Sequence, residues 1–450
     1  MKFLESYFQL KKHGTDVATE AAAGASTFLT MSYIIFVQPA VLAATGMDFN
    51  SVMMATCLSS AFGSILMALM ANYPIAMAPA MGHNFFFAFT VCGAVASGGM
   101  GFTWQQALAA NLISGVLLTA MCYAGMIEGV IAAVPASLRH GIAVGIGLLI
   151  ALLGLEWGGL VVSAPGVLVG MGSLHSPPAL VTLAGVFVIV GLMIRKVRGA
   201  ILIGILASAA LALALGIARF HGIASIPPSI APTLFKYDFQ GLFSNTNVLA
   251  AIAIFLFLDL FDNVGTLVGV GSKAGLVNKD GKMPMAVQAM TANAIATVGG
   301  TVAGTSTVTS YIESAAGVAV GGRTGLTALV TALLFILAIF FAPLAQTVGG
   351  GYQTANGAYL YPVIAPALIV VGSLMISLAK EIDWEDQAEA FPAYLTIIII
   401  PFTVSITDGI AAGFISYSAL KTAKGDFAST PKLVHVLAVL FILRYAFLMK

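Results

Sequence analysis

The stretch Ile75-Ala-Met-Ala-Pro79-Ala-Met-Gly82-His83-Asn84 opens the third long apolar segment of the chain, and Gly304-Thr-Ser-Thr-Val-Thr-Ser310-Tyr-Ile-Glu313 opens the tenth. In the first, Pro79 and Gly82 oppose a continuous helix and two polar residues follow them. In the second, a run of β-branched and hydroxyl residues favours extended backbone before a helix begins. Lipid cannot satisfy the amide groups of extended backbone, so we expect protein or a water-lined cavity to surround both stretches.

The composition is that of an integral membrane protein. Hydrophobic residues make up 59% of the 450 positions, and the mean hydropathy is +1.00. The charged residues amount to 8% of the chain, about a third of the fraction in a soluble protein. The net charge of +1 and the lack of a basic cluster argue against nucleic acid as a partner. The three cysteines show no CxxC or Cys/His spacing, so we expect neither disulfides nor a metal, and no cofactor.

Hydropathy predicts an all-α polytopic membrane protein in the lipid bilayer, with about fourteen transmembrane segments. They lie at approximately 20–45, 51–72, 75–97, 104–125, 136–155, 179–195, 199–218, 247–272, 284–300, 303–321, 325–345, 356–379, 391–405 and 407–421. A further apolar stretch at 433–449 contains His435 and Arg444. Either an amphipathic helix at the membrane surface or one more span fits that composition.

The distribution of positive charge predicts which side of the membrane each loop faces. With the N-terminus inside and fourteen alternating spans, 17 of the 19 Lys and Arg residues fall on the cytoplasmic side. Only Arg219 and Lys236 fall outside. Because Lys and Arg accumulate in cytoplasmic loops, we expect a multi-pass protein of the cell membrane with both termini in the cytoplasm.

The two interrupted segments occupy corresponding positions in the two halves of the chain. The third and tenth segments are seven apart, and two seven-span halves must have opposite orientations because seven is odd. This spacing predicts a 7+7 inverted repeat with two half-helices, each preceded by a short extended stretch. Their N-terminal amide groups would point at a common site near the midplane. Ordinary kinks satisfied by neighbouring helices are the alternative.

Three carboxylates stand out inside predicted spans, where a charged side chain costs roughly 2.5 to 3.5 kcal/mol. Asp259 and Asp262 are three residues apart on one helix face, and Glu313 lies near the start of the tenth half-helix. Gly265 and Gly269 predict a strip of small residues where a neighbouring helix approaches closely. A structural ion pair or a capping role is the alternative. No Lys or Arg lies inside these segments, which favours protons, cations or the N–H groups of a ligand as partners.

Aromatic and histidine side chains near the third half-helix are further candidates for contact with a ligand. His83 could bind a substrate or relay a proton, although a histidine satisfied by backbone is the simpler interpretation. Phe85, Phe86 and Phe87 could stack on a planar ring. Phenylalanine at membrane depth usually faces lipid or the protein core, so we expect only one of the three in the site.

Seven motifs make the chain resemble the purine permeases of the azaguanine-like branch of the nucleobase/cation symporter family, nearly from end to end. They are Lys12-His-Gly-Thr15, Thr27-Phe-Leu-Thr-Met-Ser-Tyr33, Ala78-Pro-Ala-Met-Gly82, Leu260-Phe-Asp262-Asn-Val-Gly-Thr266, Gly304-Thr-Ser-Thr-Val-Thr-Ser-Tyr-Ile-Glu-Ser314, Gly321-Gly-Arg-Thr-Gly-Leu-Thr327 and Phe402-Thr-Val-Ser-Ile-Thr-Asp-Gly-Ile410. The Tyr-Ile-Glu-Ser and Gly-Gly-Arg-Thr-Gly-Leu-Thr blocks in tandem are the most specific.

The resemblance implies two domains. The core domain would comprise residues 1–135 (spans 1–4) and 247–350 (spans 8–11). The gate domain would comprise 136–246 (spans 5–7) and 351–450 (spans 12–14 with a C-terminal amphipathic helix). A homodimer formed through the gate domain is expected on the same basis.

The resemblance also implies roles for individual residues. The eighth-span carboxylate of nucleobase transporters lies three residues before a glycine and corresponds to Asp262; the tenth-span glutamate corresponds to Glu313, and an aromatic residue to Phe85. The expected substrate-binding residues are Asp262, Glu313, Phe85, His83, Asn84, Ser310 and Thr30, and the expected proton-coupling residues are Glu313, Asp262 and Asp259. Relatives usually read Gly-Leu-Asn-Ala-Phe at positions 82–86, so His83 and Phe85 depart from the family pattern.

The sequence thus predicts a transporter, not an enzyme, that imports purine nucleobases together with protons, with Na⁺ as an alternative ion. An anion exchanger of the same fold is disfavoured because two carboxylates would repel its substrate. An intramembrane acid protease would need a second catalytic aspartate in a Gly-x-Gly-Asp setting, which the sequence lacks. A channel is disfavoured because no filter motif is visible.

Overall fold

The computed structural model describes residues 2–95, 99–126, 134–164, 166–276, 283–354, 357 and 359–447. Three of the lysines used to orient the chain, Lys279, Lys282 and Lys450, lie outside these described residues. In chain order the helices are α1 Lys2–Tyr7, α2 Val17–Met31, α3 Ile34–Ala43, α4 Phe49–Met70, α5 Met81–Phe85, α6 Trp104–Tyr123, α7 Ala136–Trp157, α8 Pro177–Ile194, α9 Ala200–Ala214, α10 Phe239–Ser244, α11 Val248–Lys273, α12 Ala286–Ala303, α13 Ser314–Val320, α14 Gly325–Ala338, α15 Ala342–Gly349, α16 Ala365–Met375, α17 Gln387–Thr403, α18 Ile406–Lys424 and α19 Lys432–Phe447.

Short non-α elements complete the secondary structure. A π-helix, Phe86–Val91, continues α5, and 3₁₀-helices Ile339–Phe341 and Ile376–Glu381 follow α14 and α16. The strands are β1 Met77–Pro79, β2 Val161–Ala164, β3 Val167–Met171, β4 Val308–Ser310, β5 Tyr352–Gln353 and β6 Tyr359–Leu360. They form three two-stranded antiparallel sheets, β1 with β4, β2 with β3 and β5 with β6.

The described part of the chain contains seven helical stretches that are long and apolar enough to cross a membrane. They are Val17–Ala43, Phe49–Met70, Trp104–Tyr123, Ala136–Trp157, Pro177–Ile194, Val248–Lys273 and Gly325–Gly349. The protein is therefore a mostly helical, multi-pass membrane protein, as its composition predicts. The apolar helix Ala200–Ala214 is shorter, and the number of fourteen spans stays a prediction.

The two stretches that decide the fold meet in one buried sheet. In β1 and β4, Met77 lies opposite Ser310, Ala78 opposite Thr309 and Pro79 opposite Val308, and all six residues are buried. The backbone N–H of Tyr311 donates to Ala76 O, and that of Ala80 donates to Thr307 O, each at 2.9 Å. The predicted extended backbone is confirmed, and strand pairing supplies the hydrogen bonds that lipid cannot.

Two sets of helices pack around this sheet and beside it. In the first set, α4 contacts α12 and α14, α2 contacts α13 and α14, and α6 contacts α11 and α12. In the second set, α7 contacts α16 and α17, and α17 contacts α18. A side chain at Gly145 would come within 3.1 Å of Thr396 O, which explains why glycine lets α7 and α17 lie so close.

The C-terminal helix α19 runs antiparallel to α18 along most of its length. The His435 ring lies 2.8 Å from the Ser418 hydroxyl, and the Tyr445 hydroxyl donates to Asp408 at 2.7 Å near the start of α18. Arg444 approaches the same Asp408 carboxylate at 3.7 Å. The outward side of α19 carries large apolar residues, including Val436, Val439, Leu440 and Leu443.

This packing does not fit the amphipathic surface helix expected at 433–449. His435, Arg444 and Tyr445 of α19 are directed at α18, and apart from Lys432 at its start the exposed face is apolar, which is the reverse of a helix lying in the interface. The helix also carries Arg444 to the N-terminal end of α18, opposite Lys424. The side of the membrane on which the C-terminus lies stays a prediction.

Candidate functional site

Asp262 lies on α11 with its side chain exposed, although α11 is one of the helices that can cross a membrane. The hydroxyl of Thr309, on β4, is close enough to interact with this carboxylate. Glu313 is also close enough to interact with it electrostatically. Asp262 therefore faces an open space beside the short sheet and not the protein core.

The exposed face of α11 continues from Asp262 towards Lys273. Gly265 and Gly269 lie on this face, and a Cβ atom added to either would meet no atom of the described residues within 4 Å. The prediction that these glycines let a neighbouring helix approach closely is therefore wrong. The space beside Asp262, Gly265 and Gly269 is open, and we call it the cleft.

Asp259 lies one turn earlier but has a different environment, because it is fully buried. Its Oδ1 accepts hydrogen bonds from Asn263 (2.7 Å) and Asn293 (2.8 Å), and its Oδ2 accepts one from the Thr297 hydroxyl (3.0 Å). Asn263 in turn accepts from the backbone N–H of Ser310 at 2.9 Å. Asp259 thus joins α11, α12 and β4, and its position is that of a structural hub, not of a group in contact with the cleft.

Glu313 is half-buried and immediately precedes α13. The hydroxyl of Tyr33, between α2 and α3, donates to Glu313 Oε1 at 2.6 Å. Thr30 donates chiefly to carbonyl groups of its own helix and reaches Glu313 O at 3.4 Å. Tyr33 was not predicted as a site residue, although it is the last residue of the motif Thr27–Tyr33. A tyrosine at the end of an apolar run does not indicate a partner 280 residues away.

The remaining residues of the sheet fix the relation between the two half-helices. The Tyr311 hydroxyl donates to Pro79 O, which ties β4 back to β1. Ser310 is 2% exposed, and its hydroxyl has no hydrogen-bond partner among the described residues. Of the sheet residues, Ser310 therefore has a free polar group directed into the protein.

Asn84 belongs to a buried polar network that was not predicted. Its side-chain oxygen accepts from the Ser306 hydroxyl, and Gln38 on α3 donates to both Thr305 (2.8 Å) and Ser306 (3.0 Å). A parallel contact joins the Thr307 hydroxyl to Asn111 on α6 at 2.8 Å. Asn84 is fully buried, so its visible role is to hold the segment before β4.

His83 is 3% exposed, and its Nε2 atom has no hydrogen-bond partner within the described ranges. The simpler interpretation from the sequence, a ring satisfied by backbone, does not hold for this nitrogen. A buried polar atom without a partner costs about 1 to 3 kcal/mol, so Nε2 is available for a ligand or a water molecule.

Phe85, the expected stacking residue, is fully buried. Its ring stacks on Phe89 (centroids 5.8 Å apart) and lies 6.2 Å from the ring of Trp157 on α7. Phe86 and Phe87 pack instead against Phe255 of α11. A planar ligand could stack on Phe85 only after this aromatic cluster had moved.

The sequence matches the model of the Permease family over residues 18–412. The chain belongs to this family. The motifs place this permease in the azaguanine-like branch expected from the sequence, and its relatives agree with that assignment. A putative permease of Methanocaldococcus jannaschii is 45% identical over 100% of this chain and 99% of its own length.

Two other relatives of the permease have names that state a substrate. Adenine permease AdeP of Escherichia coli is 44% identical over 99% of this chain and 96% of its own length. Guanine/hypoxanthine permease PbuO of Bacillus subtilis is 40% identical, covering 97% of this chain and 99% of its own. The permease is therefore a transport protein and not an enzyme, which excludes the acid-protease alternative.

A solved structure supports the fold of the permease. The transmembrane domain of the cyanobacterial bicarbonate transporter BicA superposes with a TM-score of 0.63 over 88% of this chain and 97% of that domain, at 15% identity. At this identity the similarity concerns the fold alone. It agrees with the helical membrane architecture described above.

Proposed function

We propose that the permease imports purine nucleobases together with protons. The names of its relatives, adenine permease and guanine/hypoxanthine permease, support this substrate class at 44% and 40% identity over nearly the whole chain. A purine base is planar and carries ring and exocyclic N–H donors beside ring-nitrogen or carbonyl acceptors. The protein must therefore present acceptors for those donors within a cleft at membrane depth.

The observation that carries the proposal is the pair of carboxylates at the short sheet. Asp262 is exposed to the cleft, Glu313 is half-buried, and they lie close enough to interact. Within the described residues neither of them forms an ion pair with Lys, Arg or His. Their free lone pairs suit purine N–H groups, and charge-assisted hydrogen bonds are about twice as strong as neutral ones.

Supporting residues complete the proposed site. Tyr33 orients Glu313 through the 2.6 Å hydrogen bond, and the unpartnered atoms of His83 and Ser310 are available for ring nitrogens or carbonyl groups. Helices α5 and α13 have only five and seven residues, so the proposal depends on side chains more than on helix dipoles. Phe85 would join the site only in a conformation that frees it from Trp157.

For the transport cycle we propose that a core of residues 1–135 and 247–350 moves against a gate of residues 136–246 and 351–450. The inverted repeat of two seven-span halves and the cytoplasmic location of both termini are part of this proposal, as is a homodimer through the gate. A carboxylate that binds a proton when the site is loaded, and releases it on the other side, would couple purine movement to the proton gradient.

The test is uptake of labelled adenine and of labelled hypoxanthine by cells that lack their own purine permeases, with unlabelled bases as competitors. We expect accumulation that a protonophore abolishes and that replacing Na⁺ by choline leaves unchanged. If uptake depends on Na⁺, then Na⁺ and not the proton is the coupled ion. Absence of purine uptake by well-expressed protein, with uptake of bicarbonate or chloride instead, would favour an anion exchanger of the BicA type.

A further inference from the structure

Glu20 is a fully buried carboxylate near the start of α2. It accepts hydrogen bonds from the backbone N–H groups of Arg323 (2.9 Å), Thr324 (3.3 Å) and Thr327 (3.1 Å), and a fourth from the Thr327 hydroxyl. In the described part of the chain no basic side chain forms an ion pair with it. Because a buried charge is costly unless it is well satisfied, four donors from one segment indicate a site built for this carboxylate.

The segment that supplies the donors is shaped to wrap around Glu20. It connects α13 to α14, and Gly321, at its start, has φ +114°, a conformation that favours glycine. A side chain on Gly322 would come within 2.8 Å of Ala23 on α2. The Arg323 side chain turns away from Glu20 and donates to Val318 O and Gly322 O at 2.7 Å each, which caps the end of α13.

Helix α2, together with Tyr33 just beyond its C-terminal end, therefore contacts both ends of α13. At one end Glu20 binds the connection that follows α13, and at the other Thr30 and Tyr33 contact Glu313. Between these points a side chain on Gly317 would come within 2.7 Å of Ala23 O, so the two helices are in close contact. The α13 helix has only seven residues, about 10 Å in length, and a shift at its C-terminal end would move Glu313.

We propose that Glu20 is a positioning residue for substrate binding: through the Arg323–Thr327 connection it sets the place of α13 and thereby of Glu313. This inference rests on the proposed function, in which Glu313 accepts a hydrogen bond from the purine. Glu20 itself touches no substrate, and it acts from the far end of α13.

The test compares Glu20→Gln with Glu389→Gln in the purified full-length protein. Glutamine keeps the size of Glu20, but its NH₂ group must face at least one N–H or O–H donor, so at least one hydrogen bond is lost. Glu389 accepts from Tyr417 (2.6 Å) and pairs with Lys421 (2.8 Å), which makes it a matched carboxylate far from α13 in sequence and contacts. We expect Glu20→Gln to weaken equilibrium binding of adenine or hypoxanthine about tenfold and Glu389→Gln to leave it unchanged.

A second measurement reports the position of α13 without any purine. Ile312, next to Glu313, is 55% exposed, and Ile312→Cys can be labelled with a maleimide in a Cys92→Ser background, since Cys57 and Cys122 are buried. We expect Glu20→Gln to shift the labelling rate and Glu389→Gln not to. Wild-type purine affinity together with an unchanged labelling rate in folded Glu20→Gln would overturn the inference. If the unmodified protein binds no purine, the proposed function fails, while the labelling comparison still decides the role of Glu20.

Discussion

Replacing Asp259 by Asn tests whether this buried carboxylate is a structural hub or a proton carrier. The Asn oxygen can take the place of Oδ1 and still accept from Asn263 and Asn293, and the NH₂ group can donate to the Thr297 hydroxyl, which is itself 3.0 Å from Val308 O. The number of hydrogen bonds is thus nearly conserved, and only the charge is lost. Two bonds weaken from charge-assisted to neutral, by about 1 kcal/mol each, so we expect a total loss of about 2 kcal/mol in stability.

The assay has two parts, thermal unfolding of purified protein and uptake of labelled purine by cells. We expect Asp259→Asn to lower the melting temperature by a few degrees and to keep accumulation that a protonophore abolishes. Asp259→Ala leaves one N–H group each of Asn263 and Asn293 without its acceptor, while Thr297 can still donate to Val308 O, and it should destabilise the protein more, by about 3 kcal/mol or more. Loss of concentrative uptake in a stable Asp259→Asn protein would refute this reasoning and make Asp259 the proton-coupling residue.

Exchanging the carboxylate and the amide between Asp259 and Asn293 provides the control for Asp259→Asn. Asn293→Asp alone places two carboxylates at a contact of 2.8 Å, while the double change Asp259→Asn with Asn293→Asp restores one carboxylate and one amide. If the hub is held by this pair, the double variant is more stable than Asn293→Asp alone. Additive losses would show that Asp259 is not coupled to α12.

Four other outcomes follow from the site and from the topology. Asp262→Asn should fold normally but lose most uptake. Purine affinity in a binding assay should fall about ten- to hundredfold, because the lost hydrogen bond is charge-assisted. Wild-type affinity would show that Asp262 does not belong to the site. Tyr33→Phe keeps the buried ring but removes the hydrogen bond to Glu313, so the KM for purine should rise about tenfold at unchanged expression. An unaltered KM would mean that substrate binding does not need Tyr33 to orient Glu313. Glu313→Gln should keep measurable binding and exchange of internal for external purine but lose concentrative uptake; protonophore-sensitive accumulation by this variant would show that another group couples the proton. A tag placed between Arg219 and Lys236 should react with an impermeant reagent from outside, and protection of that tag in intact cells would invert the proposed orientation.

The sequence by itself determined the class of the protein and the place of its fold-deciding elements. Low charge and long apolar runs leave only a membrane environment, whatever the tertiary structure. Pro79 and the β-branched run before Glu313 act on their own backbone, so the extended stretches at β1 and β4 could be predicted. The cost of carboxylates at membrane depth singled out Asp262 for the same local reason, before any neighbour was known.

The tertiary structure decided what each of these residues touches. Asp259 and Asp262 are three residues apart and share a helix face, yet α12 covers only the first, and the second faces the cleft. Gly265 and Gly269 suit close packing equally well in sequence, but no helix in the described part of the chain lies against them. Phe85 is enclosed by Trp157, more than seventy residues later in the chain, so its burial was not visible in its own segment.

The most informative contacts join residues hundreds of positions apart. Tyr33 meets Glu313, and Glu20 meets Arg323 and Thr327, at separations of 280 to 307 residues. Helical and strand periodicities report only which side of one element is apolar, so they predict a buried face but not the partner that covers it. The sequence therefore specified a membrane transporter with two paired extended stretches, whereas the packing of α12 on α11 separated Asp259 from Asp262 and the packing of α2 on α13 determined the partners of Glu20 and Glu313.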